Sequence, residues 1–220
     1  IAESTLSAFS DQDVLLTFGD EIFTQKKIIN LGGNINRSIG CGSPRMEYSL
    51  NNFDKIKEDF KKIDILIIGL NITNWMATSK EIEKIYYEQI SWLTKLSNKF
   101  DNLKFVYKHH DYFRGDKKEE QMLKDSRIKL VIRDKNFNSY DYLMNSELVF
   151  SFGSSMILES LGLGKPSFFL DPDLQNTTFF ENLDYLKNFR VKSYEEIENL
   201  INEKFIKKNQ LHIKSKSNDF

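Results

Sequence analysis

The stretch Glu147–Asp171, ELVFSFGSSMILESLGLGKPSFFLD, reads as strand, tight turn, short helix and strand. Leu148–Phe152 is an almost continuous apolar run, as expected of a strand buried on both faces of a parallel sheet. Gly153 follows, and glycine accepts backbone angles that other residues resist. Ser154 or Ser155 can cap a helix by accepting a hydrogen bond from an amide two or three residues on. Met156, Ile157, Leu158 and Leu161 supply an apolar helix face, which Gly162, Gly164 and Pro166 end. Ser167–Leu170 is the next strand. Free amides and the helix dipole make such a turn a candidate anion site, and Glu159, one turn into the helix, is within reach of a sugar attached to that anion. An ordinary βαβ unit with a capped helix meets the same pattern, so the turn alone leaves both readings open.

The rest of the chain supplies the context. From Asp64 onward, strand patterns at Ile65–Ile68, Lys104–Lys108, Leu130–Ile132 and Phe189–Val191 alternate with helical ones. The longest helix, about Lys80–Lys99, places Ile82, Ile85, Tyr86, Ile90, Leu93 and Leu96 at helical spacing. Further helices are expected at Gly115–Asp125, Ser139–Asn145, Asn182–Lys187 and Tyr194–Phe205. This alternation predicts an α/β fold: a Rossmann-like parallel sheet with helices on both faces and right-handed crossovers. Before it, Val14–Phe18 reads as a strand and Glu21–Ile29 as a short helix. The segment from Leu31 to Arg45, punctuated by Gly40, Gly42 and Pro44, reads as loop, and Asn51–Lys62 as helix or linker. The expected division is 1–50 as the end of a preceding domain and a hinge, 51–206 as the main domain, and 207–220 as a polar tail.

Open parallel sheets bind ligands beyond the carboxyl ends of their strands. Gly69 with Asn71 and Thr73, His109 with His110, Arg133 with Asn138, and Gly153–Ser155 all follow strand ends, so separate pieces of sequence converge on one edge. With 220 residues the chain is long enough to bury a core without disulfides. A net charge of −1 gives no global reason to expect nucleic acid as a partner. The single Cys41 excludes an internal disulfide. No run is apolar enough over 18 residues to predict a transmembrane helix. Ile1 rather than methionine begins the sequence, as expected of a piece of a longer protein.

Several chemistries are disfavoured. The G-x-x-x-x-G-K-[ST] phosphate loop and the G-x-G-x-x-G fingerprint are absent, and Gly162-Leu-Gly164-Lys-Pro closes a helix rather than opening one. Gly153-Ser-Ser lacks the second glycine of a G-x-S-x-G elbow. His109 and His110 are adjacent, and His212 and Cys41 are remote from them, so no zinc ligand set is expected. The phenylalanines lie in strands and helices without an intervening basic stripe, which favours packing over base stacking. The lysine-rich end, Lys204 to Lys216, reads as a solvated helix end, with contact to anionic lipid as the alternative.

The combined pattern resembles the nucleotide-sugar-binding, C-terminal half of GT-B-fold glycosyltransferases. Ser139-Tyr-Asp-Tyr-Leu-Met-Asn-Ser146, followed by LVFSFGSSMILESLGLGKPSFF, is similar to the segment those proteins place around the donor nucleotide. Lys108-His-His-Asp111 is similar to the lysine-x-histidine-proline motif of bacterial sialyl-, polysialyl- and Kdo-transferases that use CMP-sugars, with Asp111 in place of the proline. Phe18-Gly-Asp20 and Gly42-Ser-Pro-Arg45 resemble the end of the N-terminal domain and the hinge. The resemblance implies that Gly153, Ser154 and Ser155 meet the donor phosphates, that Glu159 binds the ribose, and that Asn138 and Tyr140 line the base pocket. It implies His110, with His109 as second choice, as the group that stabilises the leaving nucleotide, with no metal and no further cofactor. The expected function is a cytoplasmic glycosyltransferase of bacterial capsule or lipopolysaccharide synthesis, in peripheral contact with the inner membrane face at most. A CMP-sugar is favoured over a UDP-sugar, and the expected acceptor is a glycan or a lipid-linked acceptor. Most of the acceptor-binding domain would precede Ile1. The alternatives are a non-hydrolysing sugar-nucleotide 2-epimerase, ranked lower because epimerases usually carry a more glycine-rich turn, and a non-catalytic nucleotide-sugar-binding module.

Overall fold

A computed structural model of the chain describes residues 11–17, 34–56, 62–69, 80–109, 117–132, 134–171 and 188–207. The chain divides into two compact units, Ile1–Ile56 and Lys57–Phe220. The expected helices at 21–29 and 182–187, together with Asn71, Thr73, His110, Asp111, Arg133 and the tail beyond 207, lie outside the described residues.

In the first unit, β1 (Asp11–Thr17) pairs in parallel with β2 (Asn34–Gly40), Asp11 opposite Asn34 and Thr17 opposite Gly40. From its sequence β2 is expected to be loop. Asn34, Asn36, Arg37 and Ser38 give it no apolar alternation, and backbone pairing with β1 holds it instead. Helix α1 (Pro44–Ile56) also begins well before the expected Asn51. Ser43 accepts the amide of Met46 on its hydroxyl at 3.3 Å, and its carbonyl accepts the amide of Glu47 at 3.0 Å. Ser-Pro here is a cap followed by a proline in the first turn, where the missing N–H costs nothing.

In the second unit the apolar runs become six parallel strands: β3 (Ile63–Ile68), β4 (Phe105–Lys108), β5 (Lys129–Val131), β6 (Ser146–Ser151), β7 (Ser167–Leu170) and β8 (Arg190–Val191). Their order across the sheet is β5-β4-β3-β6-β7-β8. Counted from β3 this is 3-2-1-4-5-6, the doubly wound Rossmann order. Helices α2 (Lys80–Lys99), α3 (Lys117–Lys124), α4 (Ser139–Met144), α5 (Met156–Gly162) and α6 (Tyr194–Ile201) connect or follow these strands. A π-helical segment, Asn202–Lys207, replaces the last turns of the expected closing helix.

The pleat sorts side chains into two cores. Ile65, Ile67, Phe105, Tyr107, Leu148 and Phe150 pack against α2, α3 and α6 through Ile90, Leu93, Leu96, Leu123 and Ile197. Leu66, Ile68, Val106, Val131 and Val149 pack on the other face against α4 and α5 through Tyr142, Leu143 and Ile157. Right-handed crossovers require this division: connections running outward from β3 and from β6 proceed in opposite directions and so cover opposite faces. Burying a side chain such as Leu93 stabilises by about 1.5–3 kcal/mol. Among the described residues, no helix is long and apolar enough to cross a membrane.

Candidate functional site

The strand order reverses between β3 and β6, where Ile68 stands opposite Ser151. The helices that follow these two strands, α2 and α5, pack on opposite faces of the sheet, the arrangement that marks the switch point at which such sheets bind ligands. Gly69 follows β3 and Phe152-Gly153 follow β6. A Cβ at Gly69 would lie 2.6 Å from both Cε1 and the hydroxyl of Tyr107. Only glycine fits between the end of β3 and that ring.

The turn after β6 is organised from within. Gly153 has φ of +137°, in the region that favours glycine. The buried hydroxyl of Ser151 accepts the amides of Gly153 at 3.3 Å and Ser154 at 3.0 Å. The hydroxyl of Ser154 accepts the amide of Met156 at 3.3 Å. Ser155 occupies the N-cap position of α5 in a helical conformation, is exposed, and makes no side-chain capping bond. Ser154 rather than Ser155 therefore binds a helix amide. The Ser154 hydroxyl, having accepted, keeps its own proton for another acceptor.

Asn138, Tyr140 and Glu159 complete the edge. Asn138 caps α4: its Oδ1 accepts the amides of Tyr140 at 2.8 Å and Asp141 at 3.2 Å, and its own amide donates to Asp141 Oδ2 at 2.7 Å. The preceding loop is tied by Asp134, which accepts the amides of Asn136 and Phe137 and the hydroxyl of buried Tyr142. The Tyr142 hydroxyl, followed by these amides, holds the Asp134 carboxyl below its usual range. Tyr140 donates its hydroxyl to Glu159 Oε1 at 3.1 Å. The structure thus joins two of the sequence-predicted residues across α4 and α5, and gives Asn138 a capping role that the sequence reading overlooked. The signal was visible: Asn138-Ser-Tyr-Asp141 is a capping-box spacing with Asp as its last residue.

His109 lies below the edge, 3 % exposed. Its amide donates to Val131 O at 2.8 Å, and its Nε2 is 3.7 Å from Glu119 Oε1. Glu119, itself fully buried, accepts the hydroxyl of Tyr86 on Oε2 at 2.8 Å, and the Tyr86 and Tyr107 hydroxyls are 2.7 Å apart. With the Tyr86 hydroxyl donating to Glu119, Tyr107 donates to Tyr86. Burial pushes both phenols well above their usual range, and Glu119 adds to the shift. This network sits on the α2/α3 face, whereas the Tyr140–Glu159 pair sits on the α4/α5 face. Sequence reasoning did not identify it, because Glu119 lies in a charged helix that looks solvated. Among the described residues, no group of three or more His, Cys, Asp and Glu side chains is placed to hold a metal ion.

No protein-family model matches the chain, and sequence comparison with curated proteins returns no match. Solved structures of similar fold include MnaA of S. aureus with UDP, at 17 % identity and a TM-score of 0.47, covering 70 % of this chain and 42 % of that one. UDP-GlcNAc 2-epimerase of Methanocaldococcus jannaschii is similar at 13 % identity and a TM-score of 0.49, over 83 % of this chain and 53 % of that one. The Neisseria meningitidis UDP-GlcNAc 2-epimerase, bound to UDP-GlcNAc, is similar at 12 % identity and a TM-score of 0.45, over 84 % and 60 %. The chain thus spans about half the length of these proteins. They are not the sialyl- or Kdo-transferases of the motif resemblance, and the fold assignment rests on the chain's own strand order.

Proposed function

We propose that residues 57–220 form a nucleotide-sugar-binding module, the second half of a GT-B-type enzyme. The observation that carries this reading is the placement of two devices at the reversal of a 3-2-1-4-5-6 parallel sheet. One is the Gly153–Ser155 turn with its serine hydroxyls; the other is Glu159, held by Tyr140. Both stand at the start of α5, the helix that follows β6, on the edge at which such sheets bind ligands. In this reading the hydroxyls of Ser154 and Ser155 donate to a phosphate and Glu159 accepts from the ribose. His110, one residue beyond buried His109, stabilises the nucleotide as it leaves. Breaking the bond from the anomeric carbon to the phosphate oxygen puts charge on that oxygen, and donors aimed there lower the barrier.

Two reactions use this chemistry. The ranking of a CMP-sugar transferase above a 2-epimerase is reversed here. Asp111 stands where the CMP-sugar motif has proline, so the motif that favoured the transferase is incomplete. UDP-GlcNAc, which the M. jannaschii and N. meningitidis 2-epimerases act on by name, is therefore the first substrate to test. Titration calorimetry with UDP, CDP, CMP and GDP is expected to show saturable binding of at least one; silence from all four at millimolar concentration contradicts the reading. Incubation with UDP-GlcNAc alone, followed by proton NMR, separates the reactions. Appearance of the 2-epimer without acceptor supports the epimerase, and turnover only when a glycan acceptor is added supports the transferase.

A further inference from the structure

The hydrogen bond from Tyr140 to Glu159 joins two helices whose starts flank the proposed site. Tyr140 is fixed at both ends. Its amide is held in the α4 cap by Asn138, and its ring belongs to the partly buried apolar group that includes Met156 and Leu158 of α5. A phenol that donates to a carboxylate makes a charge-assisted bond, stronger and more directional than a neutral one. It selects one orientation of a flexible glutamate, which has three rotatable bonds and lies only half-buried in the first turn of α5. A carboxylate offers about four lone-pair positions, more than the single bond from Tyr140 occupies, so it can combine that bond with bonds from sugar hydroxyls.

Resting on the nucleotide reading above, we infer that Tyr140 is a positioning residue for ribose recognition. It holds the Glu159 carboxylate so that the vicinal hydroxyls of a ribonucleotide are bound in preference to a 2′-deoxyribose. The role differs from lining the base pocket, where loss of Tyr140 would weaken ribo- and deoxyribonucleotides alike. The side chain contributes through Glu159, and its effect therefore depends on the 2′-hydroxyl.

The test is the ratio of affinities for UDP and 2′-deoxy-UDP, and for CMP and 2′-deoxy-CMP, by calorimetry on the wild-type chain, Glu159→Gln and Tyr140→Phe. Tyr140→Phe keeps the ring and its packing and removes only the hydroxyl; circular dichroism checks that the fold is kept. The wild type is expected to prefer the ribonucleotide, and Glu159→Gln to lose most of that preference. Tyr140→Phe is expected to lower the ratio about three- to tenfold, corresponding to one hydrogen bond, with a smaller loss of deoxynucleotide affinity because the 2′-deoxyribose keeps only the 3′-hydroxyl contact. An unchanged ratio in Tyr140→Phe, with Glu159→Gln affected, overturns the inference and leaves the nucleotide reading standing. An equal loss for both sugars overturns it in favour of base contact. Failure of the wild type to bind any of the four overturns the nucleotide reading and this inference together.

Discussion

Ser151 consumes two amides that a glycine-serine turn would otherwise offer to an anion. In the proposed site the phosphate role therefore moves from the leading amides of the turn to the hydroxyls of Ser154 and Ser155. The residue types of this turn were legible in the sequence; which donor each atom had already engaged was not, because Ser151 lies inside the strand and reads there as a break in an apolar run. Gly69 is a second residue whose reason appears only in three dimensions. Its neighbour Tyr107 is fully buried and its hydroxyl is fixed beside that of Tyr86, so the ring has nowhere to retreat. Gly69→Ala is expected to destabilise by about 1–3 kcal/mol, the usual cost of overpacking. Urea denaturation reads this as a lower midpoint at unchanged slope; a midpoint within error of the wild type would show that Tyr107 yields easily.

At the scale of elements, α4 illustrates how local chemistry places a site. Asp134 orders the loop, Asn138 caps the helix, and Tyr140 is delivered to Glu159. The Asp134 carboxyl is held below its usual range by the Tyr142 hydroxyl. Its folded pKa is thus below its unfolded one. The stability it contributes is present above the unfolded carboxylate range, near pH 4, and is lost as pH falls through the folded value. Tyr142→Phe is expected to cost about 1 kcal/mol near neutral pH, at the low end for a charged hydrogen bond because Asp134 is half-exposed. Urea midpoints at neutral pH and at about pH 3 should show the gap between wild type and variant narrowing with acid. A gap that stays constant or widens would mean that another group supplies the effect. Lys165 closes the same helix from the other end, its Nζ donating to Met144 O at 2.9 Å and Ser146 O at 2.7 Å. That bears out the structural reading of the Gly-Leu-Gly-Lys-Pro segment. The long α2 was legible to the residue, since its apolar spacing alone specifies it. Strand β2 and the start of α1 were not, because polar residues and Pro44 mimic a loop when the parallel partner and the Ser43 cap are unseen.

At the scale of the molecule, the sequence pattern gave parallel strands and two-sided helices, but strand order lies in long-range pairing that no local window contains. Only the order β5-β4-β3-β6-β7-β8 identifies the β3–β6 boundary as the switch point where such sheets carry a ligand crevice. It brings Gly69 and Gly153 to neighbouring strand ends although they are far apart in the chain. The resemblance to transferases rests on a histidine pair and a serine turn, two short features that do not separate a transferase from another enzyme holding a nucleoside mono- or diphosphate. The central claim is that a nucleotide occupies this crevice. Hydrogen–deuterium exchange of the chain with and without saturating UDP or CMP tests it most directly. Protection is expected in peptides spanning residues 138–144 and 151–161, with α6 unchanged. Ligand binding that protects α6 or the first unit and leaves those two peptides unaltered would contradict it.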